Sequence, residues 1–536
     1  MVLHSPSKYT VRVLATTCIM SIAAGLFGFD TGTIGSITKM QQFTELFGEL
    51  SPIMHGVVVA IILVPSAATG ALAGNVSDKL SRRRTIALGS AIFALGSAIS
   101  ASSYKLAQLI AGRCIAGAGE GLFLGCLSVY LCEISPSHLR SHMLLIFQVY
   151  IAGGVAAGFF VCYGTVNIPN SVGWRFPFIL QTVFATALAI LAPFMPYSAR
   201  WLLSKGRRDE AERMLDLLVG PDNVEERREL MSAGSAAPVG ASQLQALKDI
   251  WAPGVRGRTT IGIIVNMFQQ LSGIDFILFY APLLFEQAGL DPNTSSFIAS
   301  GVTGLILLAF CILGSTYINK VGRRKIWIIG GAAIAACHFV IGSMYASGAN
   351  KTSVGKYVVI LFNEFFAVTF TAGWCLITAL YAAEIQPART RAASASTGRA
   401  FNQIINFAVA VSGPFFLAES SYGPYFTYGA FSALGVAFGF VFMPEVMGKS
   451  LESIDEVFEN SPVAVNMPSL FRTARLTHVR RRRNSRSQSA TLPGETRAEI
   501  RAQTQAVELQ ALPTVGEESV GVQEEGMVRP AAVKVA

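Results

Sequence analysis

Two stretches, YLCEISPSHLR at residues 130–140 and YAAEIQPARTR at residues 381–391, carry Tyr, Glu, Ile, Pro and Arg at identical spacing. A second pair, DKLSRRR at residues 78–84 and NKVGRRK at residues 319–325, repeats a basic pattern. Six apolar segments separate the members of each pair. Because chance seldom produces two such matches, the sequence indicates a duplicated six-helix unit. Parallel repeats of this kind place a substrate site near the membrane midplane, between the halves.

The rest of the chain supplies the apolar segments that this duplication requires. Of 536 residues, 52% are hydrophobic and 14% are charged, whereas a soluble protein carries about 25% charged residues. A membrane span needs about 20 apolar residues. Such windows lie near residues 13–36, 53–76, 85–104, 107–131, 143–164, 176–196, 259–285, 296–318, 326–346, 356–382, 396–418 and 424–444. The predicted fold class is therefore an all-α integral membrane protein with twelve transmembrane helices in two six-helix bundles.

Charged segments divide the chain into four parts. We expect an N-terminal six-helix bundle at residues 1–196, cytoplasmic linker helices at 197–257 and a C-terminal six-helix bundle at 258–445. Residues 446–536 are predicted to form a cytoplasmic tail that is mostly disordered, because its Arg-, Ser- and Glu-rich composition cannot bury a core.

The distribution of Lys and Arg predicts the orientation in the membrane. Basic residues concentrate in the loops 77–84 and 319–325, in the linker and in the tail, and alternate loops are poor in them. The positive-inside rule then places these loops and both termini in the cytoplasm. The sequons at Asn293 and Asn350 fall in loops assigned to the outside and are glycosylation candidates.

The sequence offers little for an enzyme or a metalloprotein. The eight cysteines fall mostly in apolar runs without metal-type spacing, and only His338 of the six histidines lies well inside a span. There is no metal-ligand cluster, nucleophile–base pair or phosphate loop. We therefore expect no enzymatic activity, no metal and no cofactor. Topology explains the net charge of +9 better than a nucleic-acid partner does.

Over roughly residues 12–458 the chain resembles the sugar-porter family of the major facilitator superfamily, and fungal members most. The resemblance rests on GFDTG at 28–32, QQLSG at 269–273 and PEVMGKSLE at 444–452, together with the repeated motifs above. PYSARWL at 196–202 matches a family motif only in part. The resemblance implies alternating-access transport of a sugar or polyol, with proton symport expected, by a monomer in the plasma membrane.

The resemblance also assigns a proton-coupling group. Asp30 is an acid inside the first span, where a charge is costly and usually functional. Arg113 lies near the start of the fourth span, and in proton-coupled members an acid and an arginine at these positions form the coupling pair. A static ion pair is the alternative. Glu120, where the family usually has a small or apolar residue, either joins this network or hydrogen-bonds in a helix interface.

Substrate recognition is expected from amides, which offer both donors and acceptors to sugar hydroxyls. Gln269, Gln270 and Gln148 match family substrate contacts, and Asn402 and Asn406 are further candidates. For each of them, hydrogen bonding between helices is the competing interpretation.

Several positions depart from the family pattern. Asp275 stands where Asn is usual, Phe279 precedes Tyr280 where two tyrosines are common, and Ala379 and Gln403 replace two substrate-facing tryptophans. The site therefore lacks two stacking rings and gains a carboxyl. We hypothesise that glucose is not the best substrate and that an ionised Asp275 favours a neutral sugar or polyol over a sugar acid.

The repeated motifs also predict a charge network that gates the cytoplasmic side. Glu133 and Glu384 are expected to meet the basic loops of neighbouring helices, since membrane anchoring alone needs no acidic partner. Anchoring by positive charge remains the alternative. The other predicted members are Asp78, Arg82, Arg83, Arg140, Arg200, Arg323, Arg324 and Arg391.

Three classes of function remain open. The first is a proton-coupled importer of a sugar or polyol. The second is a transporter of the same fold for another small molecule, whether by efflux or for quinate or a sugar acid, and the missing tryptophans favour it. The third is a non-transporting sugar sensor, which has less need of Asp30 and Arg113.

Overall fold

The computed structural model describes residues 8–136, 139–219, 227, 231, 245, 248–291, 295–317, 320–387, 390–447 and 458. Within them, twelve helical segments are long and apolar enough to cross a membrane, as the sequence predicts. Asn293 and all of the predicted tail except 446–447 and 458 lie outside the described residues, as do the side chain of Arg140 and much of the linker.

Nine of the twelve spans are single helices. The first, third, fourth, fifth and sixth are Lys8–Ile37, Arg82–Ala101, Leu106–Ile134, Arg140–Thr165 and Val172–Leu191. The eighth, ninth, eleventh and twelfth are Ser295–Tyr317, Arg323–Ala346, Arg391–Glu419 and Gly423–Phe442.

The second, seventh and tenth spans are interrupted. The second consists of Pro52–Ala60 and Leu63–Leu80, and the seventh consists of Arg256–Leu271 and Ile274–Gln287. The tenth passes from Ser353–Phe370 through a π turn at Thr371–Cys375 to Leu376–Glu384.

The break in the seventh span has a clear local cause. Gly273 has a φ of 81°, in the left-handed region, which costs glycine little because it has no Cβ. Tyr280 has non-helical dihedral angles, two residues before Pro282. Breaks of this kind are tolerated inside a membrane where the backbone lines a cavity or is buried in protein. The break therefore makes the seventh span a candidate to line a substrate site.

Close helix packing within each half depends on small residues. In the first half, Gly89 and Gly119 pack so closely against the facing backbone that a Cβ on either would clash. In the second half, the rings of Trp327 and Trp374 stack with centroids 4.2 Å apart, and Gly435 fits against Trp374. Such contacts replace the hydrophobic effect, which is weak between helices in lipid.

Part of the linker docks on the end of the second span, where the first basic motif begins. The short helices Ala199–Ser204 and Arg208–Leu218 follow the sixth span. Trp201 donates a hydrogen bond from Nε1 to the Asp78 carbonyl at 3.1 Å, and its ring stacks on Tyr197. We call the end of the bundle that holds Asp78 and Lys320 the basic end, and the other end, with Lys39 and Glu286, the opposite end.

The two halves contact each other closely toward the opposite end. Gly35 of the first span packs on the Phe279 carbonyl of the seventh, where any Cβ would overlap that oxygen. Gly56 of the second span packs in the same way on the backbone of Val411 in the eleventh. Because only glycine permits these approaches, the opposite end is closed by backbone contact between the halves.

Candidate transport site

The core of the first half contains a buried ion pair. Arg113 donates from both terminal nitrogens to the two carboxylate oxygens of Asp30, at 3.1 and 3.2 Å. Gln181 of the sixth span donates to the same carboxylate at 3.1 Å, and Arg113 also donates to the Val59 carbonyl at 2.8 Å. Asp30 and Arg113 are 4% and 1% exposed. The structure thus places the predicted coupling residues in direct, two-pronged contact.

Glu120 lies on the same face of the fourth span, two turns from Arg113, and is buried. Its Oε1 accepts a hydrogen bond from Ser66 at 2.9 Å, and its Oε2 has no hydrogen-bond partner among the described residues. The Ser66 hydroxyl also accepts a hydrogen bond from Gln403 of the eleventh span at 3.5 Å. A polar chain therefore runs from the fourth span to the other half of the molecule.

Amides of the seventh and eleventh spans form a cluster in the second half. Gln270 donates to the Asn402 side chain at 3.0 Å, and Asn402 donates to Gln269 at 3.0 Å and to the Asn266 carbonyl at 2.9 Å. The side-chain oxygens of Gln270 and Asn406 are buried without a hydrogen-bond partner among the described residues. Buried unsatisfied acceptors are costly, so these two oxygens are available to a ligand's hydroxyl groups.

The remaining predicted substrate contacts lie around this cluster. Asp275 interacts with the Gln270 amide, and Gln148 of the fifth span donates to the sulfur of Cys375 in the tenth at 3.6 Å. The Tyr280 hydroxyl donates to the Ala410 carbonyl at 2.7 Å. Phe279 is buried, with its backbone against the first span. Phe279 therefore belongs to the contact that closes the opposite end, and the Tyr280 ring meets His55 of the second span edge-on, with centroids 5.5 Å apart.

The basic end carries two matching ion-pair clusters, one in each half. Arg82 donates to both carboxylate oxygens of Glu133, at 3.0 and 3.3 Å, and to Asp78 at 2.6 Å. Arg323 donates to both oxygens of Glu384, at 3.3 and 3.1 Å. The repeated sequence motifs thus form repeated structures, and each cluster joins helices of the same half.

The other predicted network residues have different surroundings. Arg83 lies over the Tyr197 ring and donates to the Met195 carbonyl. Arg324 donates to the Phe440 carbonyl at 2.6 Å, and Arg391 to the Gln386 carbonyl at 3.3 Å. Arg200 is exposed. The side chains of Arg83, Arg324 and Arg391 thus contact backbone or aromatic groups instead of the predicted carboxylates.

Two contacts were not predicted from the sequence. Gln181 is an amide within a predicted span, so its polarity was a usable signal, but its partner Asp30 lies five spans away. At the opposite end, Lys39 donates to Glu286 at 3.0 Å across the two halves. Both residues lie near span ends, where charge is ordinary. Among the described residues no cluster of His, Cys, Asp and Glu fits a metal ion.

Comparison with known proteins agrees with this architecture. The profile of the family described as "Sugar (and other) transporter" matches residues 16–458. Sugar transport protein MST7 of Oryza sativa is 27% identical over 85% of this chain and 93% of its own length. Probable polyol transporter 6 of Arabidopsis thaliana is 29% identical over 85% and 96%. The probable glucose transporter rco-3 of Neurospora crassa is 29% identical over 81% and 77%.

Solved structures show the same fold. The inward open conformation of the xylose transporter XylE from E. coli has a TM-score of 0.70 and 24% identity, with 83% of this chain and 99% of that one covered. A structure titled as the proton:xylose symporter XylE bound to 6-bromo-6-deoxy-D-glucose has a TM-score of 0.67, 24% identity and coverage of 84% and 99%. The chain therefore belongs to the sugar transporter family, shares the major facilitator fold of these structures and is a multi-pass membrane transporter.

Proposed function

We propose that this protein imports a sugar or related polyol together with a proton, by alternating access between its two halves. The buried pair of Asp30 and Arg113 is the observation that carries the proposal. The pair lies in the first half, and the second half contains the neutral amides of the seventh and eleventh spans. Relatives named as sugar, glucose and polyol transporters support the substrate class, and the neighbour titled as a proton:xylose symporter supports coupling.

The coupling step follows from the geometry of the pair. The ionised Asp30 carboxylate accepts three hydrogen bonds, two from Arg113 and one from Gln181. A proton that binds Asp30 removes the charge that holds Arg113. The hydrogen bonds from the guanidinium to the neutral carboxyl group are then weaker, while its bond to the Val59 carbonyl in the second span is unchanged. Because the second span also contacts the eleventh, protonation at Asp30 changes how the halves bind each other.

The substrate is proposed to bind at the amide cluster of the seventh and eleventh spans. Gln269, Gln270 and Asn402 already hydrogen-bond one another, so their orientations are fixed before a ligand arrives. The free oxygens of Gln270 and Asn406 would accept hydrogen bonds from hydroxyl groups of the ligand. Gln148 would contact the ligand from the first half, and Gln403 from the second.

In alternating access, the two ends of the bundle open and close in turn. Backbone contacts at Gly35 and Gly56 hold the opposite end closed in this structure, and opening to that side requires them to separate. At the basic end, the Arg82–Glu133 and Arg323–Glu384 clusters keep each half rigid, so that closure is a movement of one half against the other. We assign a gating role to these clusters.

The orientation, the domains and the cellular site are also proposals. We assign the basic end and both termini to the cytoplasm, on the positive-inside rule. We place the protein in the plasma membrane as a monomer of two six-helix domains, residues 1–196 and 258–445, joined by linker 197–257 and followed by the tail. Asn350, at the opposite end, is a glycosylation candidate.

Uptake by cells without their own hexose carriers tests the function. The panel contains labelled hexoses, pentoses, polyols, uronates and quinate, at pH 5 and pH 7.5, with and without an uncoupler. We expect acid-stimulated, uncoupler-sensitive uptake that Asp30→Asn abolishes. Uptake insensitive to both pH and uncoupler would indicate a facilitative carrier. No uptake by protein at the cell surface would support efflux or a sensor role.

One observation favours a second candidate, a transporter of the same fold for another small molecule. Ala379 and Gln403 stand at the two positions where the family resemblance expects substrate-facing tryptophans, and Gln403 hydrogen-bonds Ser66 of the other half. A site with an amide and a methyl group in place of two rings has less surface for stacking on a pyranose. The same uptake panel separates the two candidates by substrate.

A further inference from the structure

Arg399 is a cation inside the eleventh span, eight residues beyond its first residue, Arg391. It follows the basic motif by two turns and belongs to none of the clusters described above. A charge within a span is expensive unless it faces a cavity or a partner, and it usually marks a pathway or a site.

The helix face that carries Arg399 points to the centre of the molecule. Phe401, Ile404 and Phe415 are 39%, 55% and 44% exposed and mark the lipid side of this helix. At about 100° per residue, Arg399 lies on the side away from them. Its neighbours on the wheel confirm this direction. Gly398 packs against Asn266 of the seventh span, and Gln403 contacts Ser66 of the second.

Exposure along this inner face indicates an open cavity. Residues 395 and 399 are exposed, Asn402 is half-buried and Asn406 is buried. The exposure therefore decreases from the basic end toward the middle of the helix. This gradient is expected if water enters from the basic end and reaches Arg399 just before the amide cluster.

The internal repeat places Arg399 at a substrate-contact position. The fifth and eleventh spans begin at Arg140 and Arg391, which correspond in the repeated motif. Counted from these residues, Arg399 corresponds to Gln148, a proposed substrate contact. The two side chains therefore occupy equivalent positions and depths in the two halves, on either side of the central axis.

Arg399 has no carboxylate partner in the part of the chain that the structure describes. Of the acids that the structure describes at the span ends of the basic end, Asp78 and Glu133 are held by Arg82, Glu384 by Arg323, and Glu445 by the backbone N–H groups of Arg323 and Arg324. In the inward-facing cavity, water can solvate the guanidinium. When the basic end closes around a substrate, that water leaves, and an uncompensated buried cation becomes strongly unfavourable. An anion at this position in the closed state would remove that cost.

We propose that the substrate itself supplies this anion, an inference that rests on the proposed transport function. Arg399 binds the acidic group of a monosaccharide-sized compound, and the amide cluster binds its hydroxyl groups. The arginine fork suits a carboxylate or a phosphate. Among the described residues Asp275 interacts with Gln270 of the amide cluster and not with Arg399, so the guanidinium is available to the acidic group. The substrate class becomes an anionic sugar derivative instead of the neutral compound that Asp275 alone suggests.

The test measures binding and uptake by the purified full-length chain, in detergent and in proteoliposomes. The probes are glucose, gluconate, glucuronate and glucose 6-phosphate; the two carboxylates and the phosphate distinguish the possible acidic groups. Arg399→Gln introduces the residue of the equivalent position 148, Arg399→Lys keeps the charge, and Arg12→Gln removes an exposed cation near the start of the first span as the matched control.

We expect the unmodified protein to bind one acidic compound more tightly than glucose. Arg399→Gln should weaken that binding by about ten- to a hundredfold, the usual effect of losing a hydrogen bond to a charged group, while glucose binding stays constant. Arg399→Lys should retain part of the preference, and Arg12→Gln all of it. The same order should appear in uptake.

Three results would overturn the inference. If glucose or another neutral compound binds best and Arg399→Gln leaves the preference unchanged, Arg399 does not contribute to substrate recognition. The proposed sugar transport does not depend on Arg399 in that case. If Arg399→Gln slows every compound equally in a folded protein, Arg399 pairs with a protein carboxylate during closure. Absence of binding by all acidic probes also excludes the inference, whereas glucose uptake in that case still supports the transport function.

Discussion

At the basic end the two halves are built alike: Arg82 holds Glu133 in the first, and Arg323 holds Glu384 in the second, each through two hydrogen bonds. Toward the middle of the membrane the likeness ends. The first half encloses the ion pair of Asp30 and Arg113, and the second presents neutral amides. The ends therefore share a structure, whereas the interiors differ, and we propose that the first interior serves the proton and the second the polyhydroxylated substrate.

The largest effect is expected from a substitution in the interior of the first half. Asp30→Asn should abolish acid-stimulated accumulation, because it removes the carboxylate that is proposed to exchange the proton. It should also destabilise the protein by about 3–5 kcal/mol, since Arg113 is left as a buried, uncompensated charge. Uptake at pH 5 and pH 7.5 and the melting temperature of purified protein measure the two effects.

A double variant separates stability from coupling at this site. Asp30→Asn with Arg113→Gln removes both charges, so stability should largely return while acid-stimulated accumulation stays lost. If the double variant accumulates substrate in response to acid, or if Asp30→Asn alone does, the proton acts elsewhere and the proposed division between the halves is wrong.

Substitution of an amide in each half sharpens the comparison. Gln270→Leu should raise KM about tenfold, the effect of losing a hydrogen bond to the substrate, and leave the ratio of uptake at pH 5 to uptake at pH 7.5 unchanged. The comparison variant Gln181→Leu removes the amide beside Asp30 in the first half. It should change this ratio and leave KM nearly constant. If both variants change KM and the ratio together, the two tasks are not divided between the halves.

The ion-pair clusters should differ modestly in strength. The side chain of Glu133 is 9% exposed and that of Glu384 is 28% exposed. Glu133→Gln should therefore cost about 2–3 kcal/mol and Glu384→Gln about 1 kcal/mol, because solvent screening weakens exposed pairs. Melting temperatures of the two variants provide the measurement. Equal losses would mean that burial does not set the strength of these clusters.

Local sequence features were enough to predict the fold, because each span is defined by its own apolar residues and the duplication by its own motifs. The contact between Asp30 and Arg113 was also accessible, since two opposite charges inside spans have few other ways to be accommodated. The role of Arg391 was less predictable. Arg391 occupies the same position in its motif as Arg140, yet its side chain donates to the Gln386 carbonyl instead of a carboxylate.

Contacts between the halves were not predictable, because they depend on which conformation the protein adopts. The hydrogen bond between Gln403 and Ser66 joins residues 337 positions apart, and neither residue carries a local signal for the other. The same holds for Gly35 against Phe279, where the sequence shows only one glycine among many. The face of the eleventh span that carries Arg399 became informative once exposure along that helix was known.

The ion pair of Lys39 and Glu286 should have the smallest effect, although it joins the two halves. The side chains are 31% and 36% exposed, and pairs of this kind contribute about 0–1 kcal/mol. Glu286→Gln should therefore shift the equilibrium toward opening at the opposite end by no more than about fivefold. The exchange variant Lys39→Glu with Glu286→Lys should restore it. Spin-label distances between positions 46 and 354, both exposed at this end, measure the shift. A change far larger than fivefold would mean that this exposed pair, and not the backbone contacts of Gly35 and Gly56, holds the halves together.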